Sequence, residues 1–439
     1  MEEEPNEIRA WLDSHINLER RVGVPSGSPR RLSPEPLSRM ERLVELLGSP
    51  QLQYPAIHIT GTNGKTSVAR MTTALLGAVG LSVGTDTSPY LERFNERISW
   101  NGTPIDDDDL DRILMLVAEV EPLLDDQPTY FEIVNAAALE WFADIAVDVA
   151  VIEVGLGGRW DSTNVVDGQV AVVTNVEVDH VEYLGSTRRE IAEEKSGIVK
   201  PGSTLVLGET DPALGEIFRD RDPARVVTRD DDFGVRANTL AHGGRVVDVY
   251  TPYAEYHDLF LPLHGAHQGD NAAAALAATE CFLGRALGDE VVSTAFATVE
   301  SPGRLEVVGH APLVVIDGTK NVAGARAVRV ALDEEFPSTR RTWVIGVLRQ
   351  KDAREMLDAL GVRSTDRVVC CRPEIPRARD PEDVAQAARA IGVSPDNIEV
   401  VDGVADAVRR AVASSGPDDQ VIVAGSLYVA GPARTALVQ

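Results

Sequence analysis

Only five of the chain's 42 basic residues are lysine, namely Lys65, Lys195, Lys200, Lys320 and Lys351. Wherever a generic surface cation would serve, arginine is used, so a retained lysine is enriched for positions that need a compact ammonium or a titratable amine. Positive charge is short in total as well: 69 acidic residues against 42 basic ones leave a formal net charge of −27. Such a surface repels phosphate backbones and anionic lipid, which argues against nucleic acid and membrane surfaces as partners and requires any anionic ligand to be held by a local site. Cysteine is rare. Cys281 and the adjacent pair Cys370 and Cys371 make an odd count without metal-ligand spacing, and read as buried or incidental thiols in a reducing compartment. No apolar run reaches the length of a membrane span, and the start, MEEEPNEIRAWL, lacks the basic segment and apolar core of a signal peptide, so a cytoplasmic protein is expected. Repeats and low-complexity tracts are also missing, apart from the acidic run Asp106 to Asp109, which is expected at a helix start.

What the chain does have is length and alternation. Its 439 residues, 44% hydrophobic and 25% charged, suffice for a folded multi-domain protein. An amphipathic helix over Glu7 to Leu18, a Pro/Ser/Arg-rich loop (VPSGSPRRLSPEP) and a second helix over Leu37 to Leu47 come first. From Tyr54 a strand (YPAIHIT), a glycine loop and a helix open an α/β series with a parallel sheet. It continues through helices at Asp107 to Val120 and Phe131 to Phe142, strands VDVAVIEVG and AVVTNV, a helix from Thr187 to Val199, and strand STLVLG. Arg225 to Leu263 reads as a small antiparallel patch and Asn271 to Leu287 as a long alanine-rich helix. After the turn SPGR, five more strands alternate with helices in a second open α/β domain. The expected division is 1–300, an α/β domain with a helix-and-loop segment at 1–53, and 301–439, a smaller open α/β domain.

Two constellations carry chemistry. In TGTNGKTS, Thr60 to Ser67, small residues between a strand and a helix let backbone N–H groups approach a phosphate; Lys65 reaches the outer phosphates, and the Thr66 or Ser67 hydroxyl can meet Mg²⁺. An ordinary glycine-rich turn is the bland alternative, which Gly-Lys-Thr after an apolar strand disfavours. In the second, Glu153 ends a buried strand and His180 follows another, where open α/β sheets place ligands, so the two could hold a divalent cation against the phosphates. Lys195, directly after Glu193 and Glu194 in a helix, reads from its neighbours alone as a surface lysine.

TGTNGKTS, EVGLGGRWDSTN, DHVEYLG, EKSGIVK, LHGAHQGDN, SPGRLE and GSLYVAG, in this order over nearly the whole chain, resemble the folylpolyglutamate synthase and dihydrofolate synthase branch of the Mur ligase superfamily. The resemblance implies an ATP-dependent ligase: ATP phosphorylates a carboxylate, and the amine of L-glutamate attacks the acyl phosphate to form an amide. It implies an N-terminal ATPase domain, a Rossmann-like C-terminal domain and a site in the cleft between them, in a monomer. By the same resemblance Asn63, Gly64, Lys65, Thr66 and Ser67 hold ATP, with Asn271, Arg304 and Asp317 as further nucleotide contacts. Ser88, Glu153 and His180 match Mg²⁺ ligands, and Lys195 a lysine carried as a carbamate. Lys65, Lys195 and His180 are the implied catalytic groups. Thr129, Tyr130, Phe131 and Glu132, with Trp160, Asp161 and Ser162, match the lining of a pterin pocket.

Three motifs depart from the family pattern. Tyr90 stands where TSPH is usual; DGTKNV puts Lys320 in place of His and Val322 in place of Pro; and Gln350 precedes Lys351 and Asp352 where Asp-Lys-Asp is usual. Lys320 is expected to take over the histidine's nucleotide-facing work. A Mur-type ligase for a different carboxylate, or a nucleotide-binding paralogue of little turnover, are the alternative readings.

Overall fold

The computed structural model describes residues 6–17, 19 and 32–438. Leu18, at the end of the first expected helix, and residues 24–31 of the Pro/Ser/Arg-rich loop lie outside the described residues. The helix itself covers Glu7–Asp13, and the second begins at Glu35, with Pro36 in its first turn where a missing N–H costs nothing.

Eight strands form the N-terminal sheet: β1 (Ala56–Thr60), β2 (Val83–Asp86), β3 (Ile98–Trp100), β4 (Thr103–Pro104), β5 (Val149–Glu153), β6 (Gly168–Val173), β7 (Thr204–Leu207) and β8 (Arg225–Thr228), in the order β4-β3-β2-β5-β1-β6-β7-β8. All pairings from β2 to β8 along this order are parallel, and β3 and β4 turn antiparallel at one edge. The run VAVI in β5 is apolar on both faces because both faces are covered. Val149 and Val151 pack with Ile57 and Ile59 against helices Lys65–Ala78, His267–Leu283 and Asp289–Ala297; Ala150 and Ile152 face helices Asp107–Val120 and Tyr130–Asp144 on the other side.

Helix ends shift by a few residues from the sequence reading, as in Tyr130–Asp144 and Arg188–Lys195, and two assignments between residues 225 and 287 change more. Arg225–Thr228 is a parallel edge strand of the main sheet, and the antiparallel patch is the meander β9 (Gly234–Ala241), β10 (Gly244–Tyr250) and β11 (Glu255–Leu261). The alanine-rich helix runs His267–Leu283, because Gly284 adopts a left-handed φ of 68° and caps it three residues before Leu287.

The C-terminal sheet has six strands: β12 (Glu306–His310), β13 (Leu313–Ile316), β14 (Arg341–Ile345), β15 (Arg367–Cys371), β16 (Ile398–Val401) and β17 (Gln420–Ala424), ordered β12-β13-β17-β14-β15-β16. The sequence alternation missed β12, an antiparallel edge strand paired to β13 without an intervening helix. Cys370 and Cys371 are buried in β15. The chain is thus an α/β protein with a mainly parallel N-terminal sheet and a mixed C-terminal sheet. No described helix is long and apolar enough to cross a membrane.

Candidate active site between the two sheets

The phosphate loop leaves the C-terminal end of β1. A Cβ at Gly61 would lie 1.8 Å from Thr174 Oγ1, and one at Gly64, itself at φ 84°, would lie 2.5 Å from Asn271 Oδ1, so both glycines are required by close approach. Thr174 Oγ1 and Asn175 Nδ2 donate to the Asn63 carbonyl at 2.6 and 3.0 Å, while Asn63 N–H donates to Asn175 Oδ1 at 3.0 Å. The residues after β6 therefore brace the loop, and Asn271 closes its flank. Ser67 Oγ lies 3.3 Å from Ser301 Oγ at the start of the interdomain turn.

Glu153, at the end of β5, stands beside this loop. Its carboxylate accepts from Thr66 Oγ1 at 2.9 Å and from Ser88 N–H at 3.4 Å, and Lys65 Nζ lies 3.9 Å away. Burial raises its pKa above the ordinary glutamate value, outweighing the Lys65 ammonium and the hydrogen bonds. His180 follows β6, as read from the sequence, without ending it. It lies in the loop after β6, at a left-handed φ of 50°, heading the short helix Val181–Leu184. No hydrogen bond or ion pair joins it to Glu153, and no group of three or more His, Cys, Asp or Glu side chains suited to a metal occurs among the described residues. Mg²⁺ nonetheless needs few protein ligands, because it keeps waters and substrate phosphates in its shell. A buried, incompletely neutralised carboxylate beside the Thr66 hydroxyl, with Ser88 adjacent through its backbone N–H, fits that requirement.

Four of the five lysines converge here. Lys195 ends helix Arg188–Lys195 but points inward: it is 3% exposed, its Nζ donates to the Gly61 carbonyl at 2.9 Å, and burial, with the Lys65 ammonium second, lowers its pKa to about 7. The surface-lysine reading from Glu193 and Glu194 is thereby overturned. Lys320 Nζ lies 3.4 Å from His180 Nε2; burial lowers its pKa to about 8 and that of His180 to about 3, leaving the imidazole neutral. Lys351 pairs with the Asp179 carboxylate, which, although burial pushes its pKa up, is held well below the usual range by the Lys320 and Lys351 ammonium groups. Only Lys200 is elsewhere, donating to the Asn164 carbonyl at 3.1 Å. Arg304 Nη1 donates to Gly303 O at 3.2 Å, and Asp317 accepts the Leu305 and Thr319 N–H groups at 2.9 and 2.7 Å, so Asp317 shapes the loop that carries Lys320.

The expected pterin-pocket residues divide. Thr129 caps helix Tyr130–Asp144 in a capping box with Glu132, which also takes a two-pronged ion pair from Arg39 at 2.6 and 2.7 Å. Asp161 accepts Leu156 N–H at 2.8 Å and Thr163 N–H at 3.0 Å, and Ser162 Oγ accepts from Asn135 Nδ2 at 2.6 Å. These groups hold local structure. Tyr130 is buried, and burial raises its pKa. Phe131 and Trp160 are half-buried; a Cβ at Gly155 would lie 2.3 Å from Phe131 Cζ, which places that ring against the loop that follows Glu153. Replacing Glu132 with alanine should cost about 2–3 kcal/mol of stability in urea unfolding, because a buried capping group is lost and Arg39 is left unpaired.

One residue of this region escaped the sequence reading. Arg97 is fully buried, pairs with Glu19 through Nη2, and leaves Nε and Nη1 without a partner among the described residues. Its guanidinium lies 5.7 Å from the Tyr90 ring centroid and 6.0 Å from that of Phe131. Two unsatisfied donors on a buried cation are costly and suit an incoming carboxylate or heterocycle. In a chain this rich in arginine, residue type alone could not single it out.

Residues 59–279 match the Mur ligase middle domain, and residues 303–427 match the Mur ligase, glutamate ligase domain. The dihydrofolate synthase/folylpolyglutamate synthase of Mycobacterium tuberculosis is 39% identical, over 98% of this chain and 94% of the relative. The chain belongs to the dihydrofolate synthase/folylpolyglutamate synthase family of Mur ligases. The M. tuberculosis folylpolyglutamate synthase complexed with ADP superposes on this Mur-type ligase with a TM-score of 0.90 at 37% identity, covering 99% of this chain and 98% of that one. A bifunctional folylpolyglutamate synthase/dihydrofolate synthase from Yersinia pestis, complexed with AMPPNP and a Mn ion, does so with a TM-score of 0.83 at 28% identity, covering 98% of each chain.

Proposed function

We propose that this ligase joins L-glutamate to dihydropteroate, to reduced folates, or to both, using ATP and an acyl-phosphate intermediate. The observation that carries the reading is the convergence of Lys65, Lys195, Lys320 and Lys351 with Glu153 on one glycine loop, in a chain whose net charge is −27. Such a cluster answers the need for a local anion site in a repelling field, and polyphosphate with an acyl phosphate is the most anionic ligand the family handles.

In this reading Asn63 to Ser67, Asn271, Arg304, Asp317 and Lys320 hold ATP. Glu153, Ser88 and His180 would hold Mg²⁺, which supplies charge neutralisation on the phosphates. A substrate carboxylate oxygen attacks the γ-phosphorus and the bond to ADP breaks. The glutamate amine then attacks the acyl carbon, and the C–O bond to phosphate breaks as the amide forms. Lys65 and Lys320 stabilise the charge that develops on the phosphoryl oxygens. Lys195, with a pKa lowered to about 7, has an amine neutral enough to accept CO₂ as a carbamate. Phe131 and Trp160 offer ring faces to the pterin, and Arg97 offers its two unpaired donors to the substrate. The division into 1–300 and 301–439, a monomeric state and a cytoplasmic location belong to the same reading.

Phosphate release from ATP, measured with glutamate and dihydropteroate, with glutamate and tetrahydrofolate, and with glutamate alone, tests it. Release in either of the first two and not in the third is the expected result; release driven only by another carboxylate sinks the folate assignment. Lys320→Ala should raise the KM for ATP with a weaker effect on glutamate. Lys320→His should recover much of that loss and flatten the dependence on salt, since a neutral imidazole lacks the ammonium's screened attraction. Unchanged ATP kinetics in Lys320→Ala would leave the nucleotide-facing role to Arg304 and Asp317.

A further inference from the structure

Helix Val322–Glu335 of the C-terminal domain is held to the N-terminal domain at both ends. At its far end the buried Arg245 of β10 meets Glu334 and Glu335, while His264 Nδ1 and Gly265 N–H each lie 2.8 Å from Glu335 carboxylate oxygens. At its near end Asn321 caps the helix by accepting Gly324 N–H at 2.8 Å, and its Nδ2 donates to Asn63 Oδ1 of the phosphate loop at 3.0 Å and to Asp179 Oδ2 at 2.9 Å. Asp179 is 5% exposed. Two of its side-chain partners, Asn321 and Lys351, come from the C-terminal domain; its Oδ1 also accepts the backbone N–H of His180 at 2.8 Å, and His180 Nε2 lies 3.8 Å from its Oδ2. Of the groups in these near-end contacts, Asn63 and His180 belong to the expected ATP and Mg²⁺ sites, whereas Asn321, Asp179 and Lys351 do not.

We propose that Asp179 is a positioning residue that makes closure of the C-terminal domain and placement of His180 one event, with Lys351 and Asn321 as the latch. The far end, with a fully buried arginine between two carboxylates, is the pivot. The near end, where Lys351 is 21% exposed on its side chain, is the contact that parts when the domains open. In the open state Asp179 loses both foreign donors. Its hold on the left-handed His180 backbone then rests on one local hydrogen bond, and the phosphate loop loses its bond from Asn321. Nucleotide affinity and turnover should both fall by the factor by which the closed population falls.

The test uses the full chain in a Cys281→Ser background with spin labels at D125C and D396C, both exposed positions in different domains. Distances are measured by electron–electron resonance with and without AMPPNP and Mg²⁺. AMPPNP should narrow the wild-type distribution to a closed distance. Lys351→Met should broaden it again, weaken AMPPNP binding about tenfold and lower kcat by a similar factor, and Lys351→Arg should restore all three. Asp179→Asn combined with Lys351→Met should be no worse than the poorer single variant. If Lys351→Met closes and binds AMPPNP as the wild type does, or if the two substitutions are additive, the latch is wrong. The inference rests on the ligase reading only for kcat: a wild-type chain that closes on AMPPNP but releases no phosphate would sink that reading, while distances and AMPPNP affinity still decide the latch.

Discussion

Lys195→Ala should lower glutamate-dependent phosphate release by roughly 10²- to 10³-fold, the scale for losing one preorganised group that faces developing charge. The protein should remain folded, because the side chain's contribution to the interior is one hydrogen bond to Gly61 O, about 1 kcal/mol. The sharper expectation concerns pH. Carbamate forms only on a neutral amine, and Lys195 is lowered from 10.5 to about 7 by burial first and the Lys65 ammonium second. Below pH 7 the amine is mostly protonated and closed to CO₂; above it the neutral fraction predominates. Activity with added bicarbonate should therefore climb between about pH 6 and pH 8, whereas an ordinary lysine would still be protonated over that whole range. Acetate should partly rescue Lys195→Ala by replacing the lost carboxylate. Carbon-13 bicarbonate labelling reads the adduct directly: a fully active preparation with no carbamate resonance would remove the role assigned to Lys195.

Most of the fold was legible because its strands are of the kind that pattern alone detects. β5 is buried throughout and shows as the unbroken apolar run VAVI, and β1 and β14, buried throughout, and β6, buried at all but one position, are apolar over most of their length. Asp107–Val120 was readable to the residue, with Asp106 accepting Asp109 N–H as its cap. The misreadings have physical causes. β12 is an edge strand with a half-buried pattern and no helix between it and β13, so the strand-helix rhythm that revealed its neighbours had nothing to mark it. β8 carries the same β-branched composition as the meander after it, and composition does not report whether a strand pairs parallel or antiparallel.

The site was legible where chemistry is local and obscure where it is assembled. The glycine loop and Glu153 are contiguous with the strands that place them. Lys195 is different: two glutamates precede it in sequence, yet helix periodicity turns it inward, against the Gly61 carbonyl. Arg97 and Asp179 could not be singled out from sequence, since nothing distinguishes them from the many other arginines and aspartates except burial and partners that lie far along the chain. The scarcity of lysine was the one compositional signal that reached the site before any geometry did, and four of the five lie within it.

The other large effect is expected at Glu153, and its sign on stability runs opposite to its sign on activity. Glu153→Gln keeps the shape and an acceptor for Thr66 Oγ1 but removes the charge that would hold the cation, so turnover should fall by at least about 10²-fold. Stability should not fall with it. Burial raises the folded-state pKa of Glu153 above the ordinary glutamate value of 4.5, so at neutral pH its ionised form is a net burden on the folded state. For a carboxyl with a raised folded pKa, that burden is absent below the unfolded pKa and sets in as pH rises through 4.5 toward the folded value. Glutamine abolishes it. In metal-free buffer the variant should therefore unfold at equal or higher temperature than the wild type at pH 7, and the advantage should vanish near pH 4. The opposing effect is Lys65, which loses a partner at 3.9 Å, but that ammonium is 15% exposed on its side chain and can turn toward water. Adding Mn²⁺ with AMPPNP should then raise the melting temperature of the wild type and leave that of Glu153→Gln nearly where AMPPNP alone puts it. Equal shifts in both proteins would show that the cation is held without Glu153, and retained turnover would show that the ligation does not need it there.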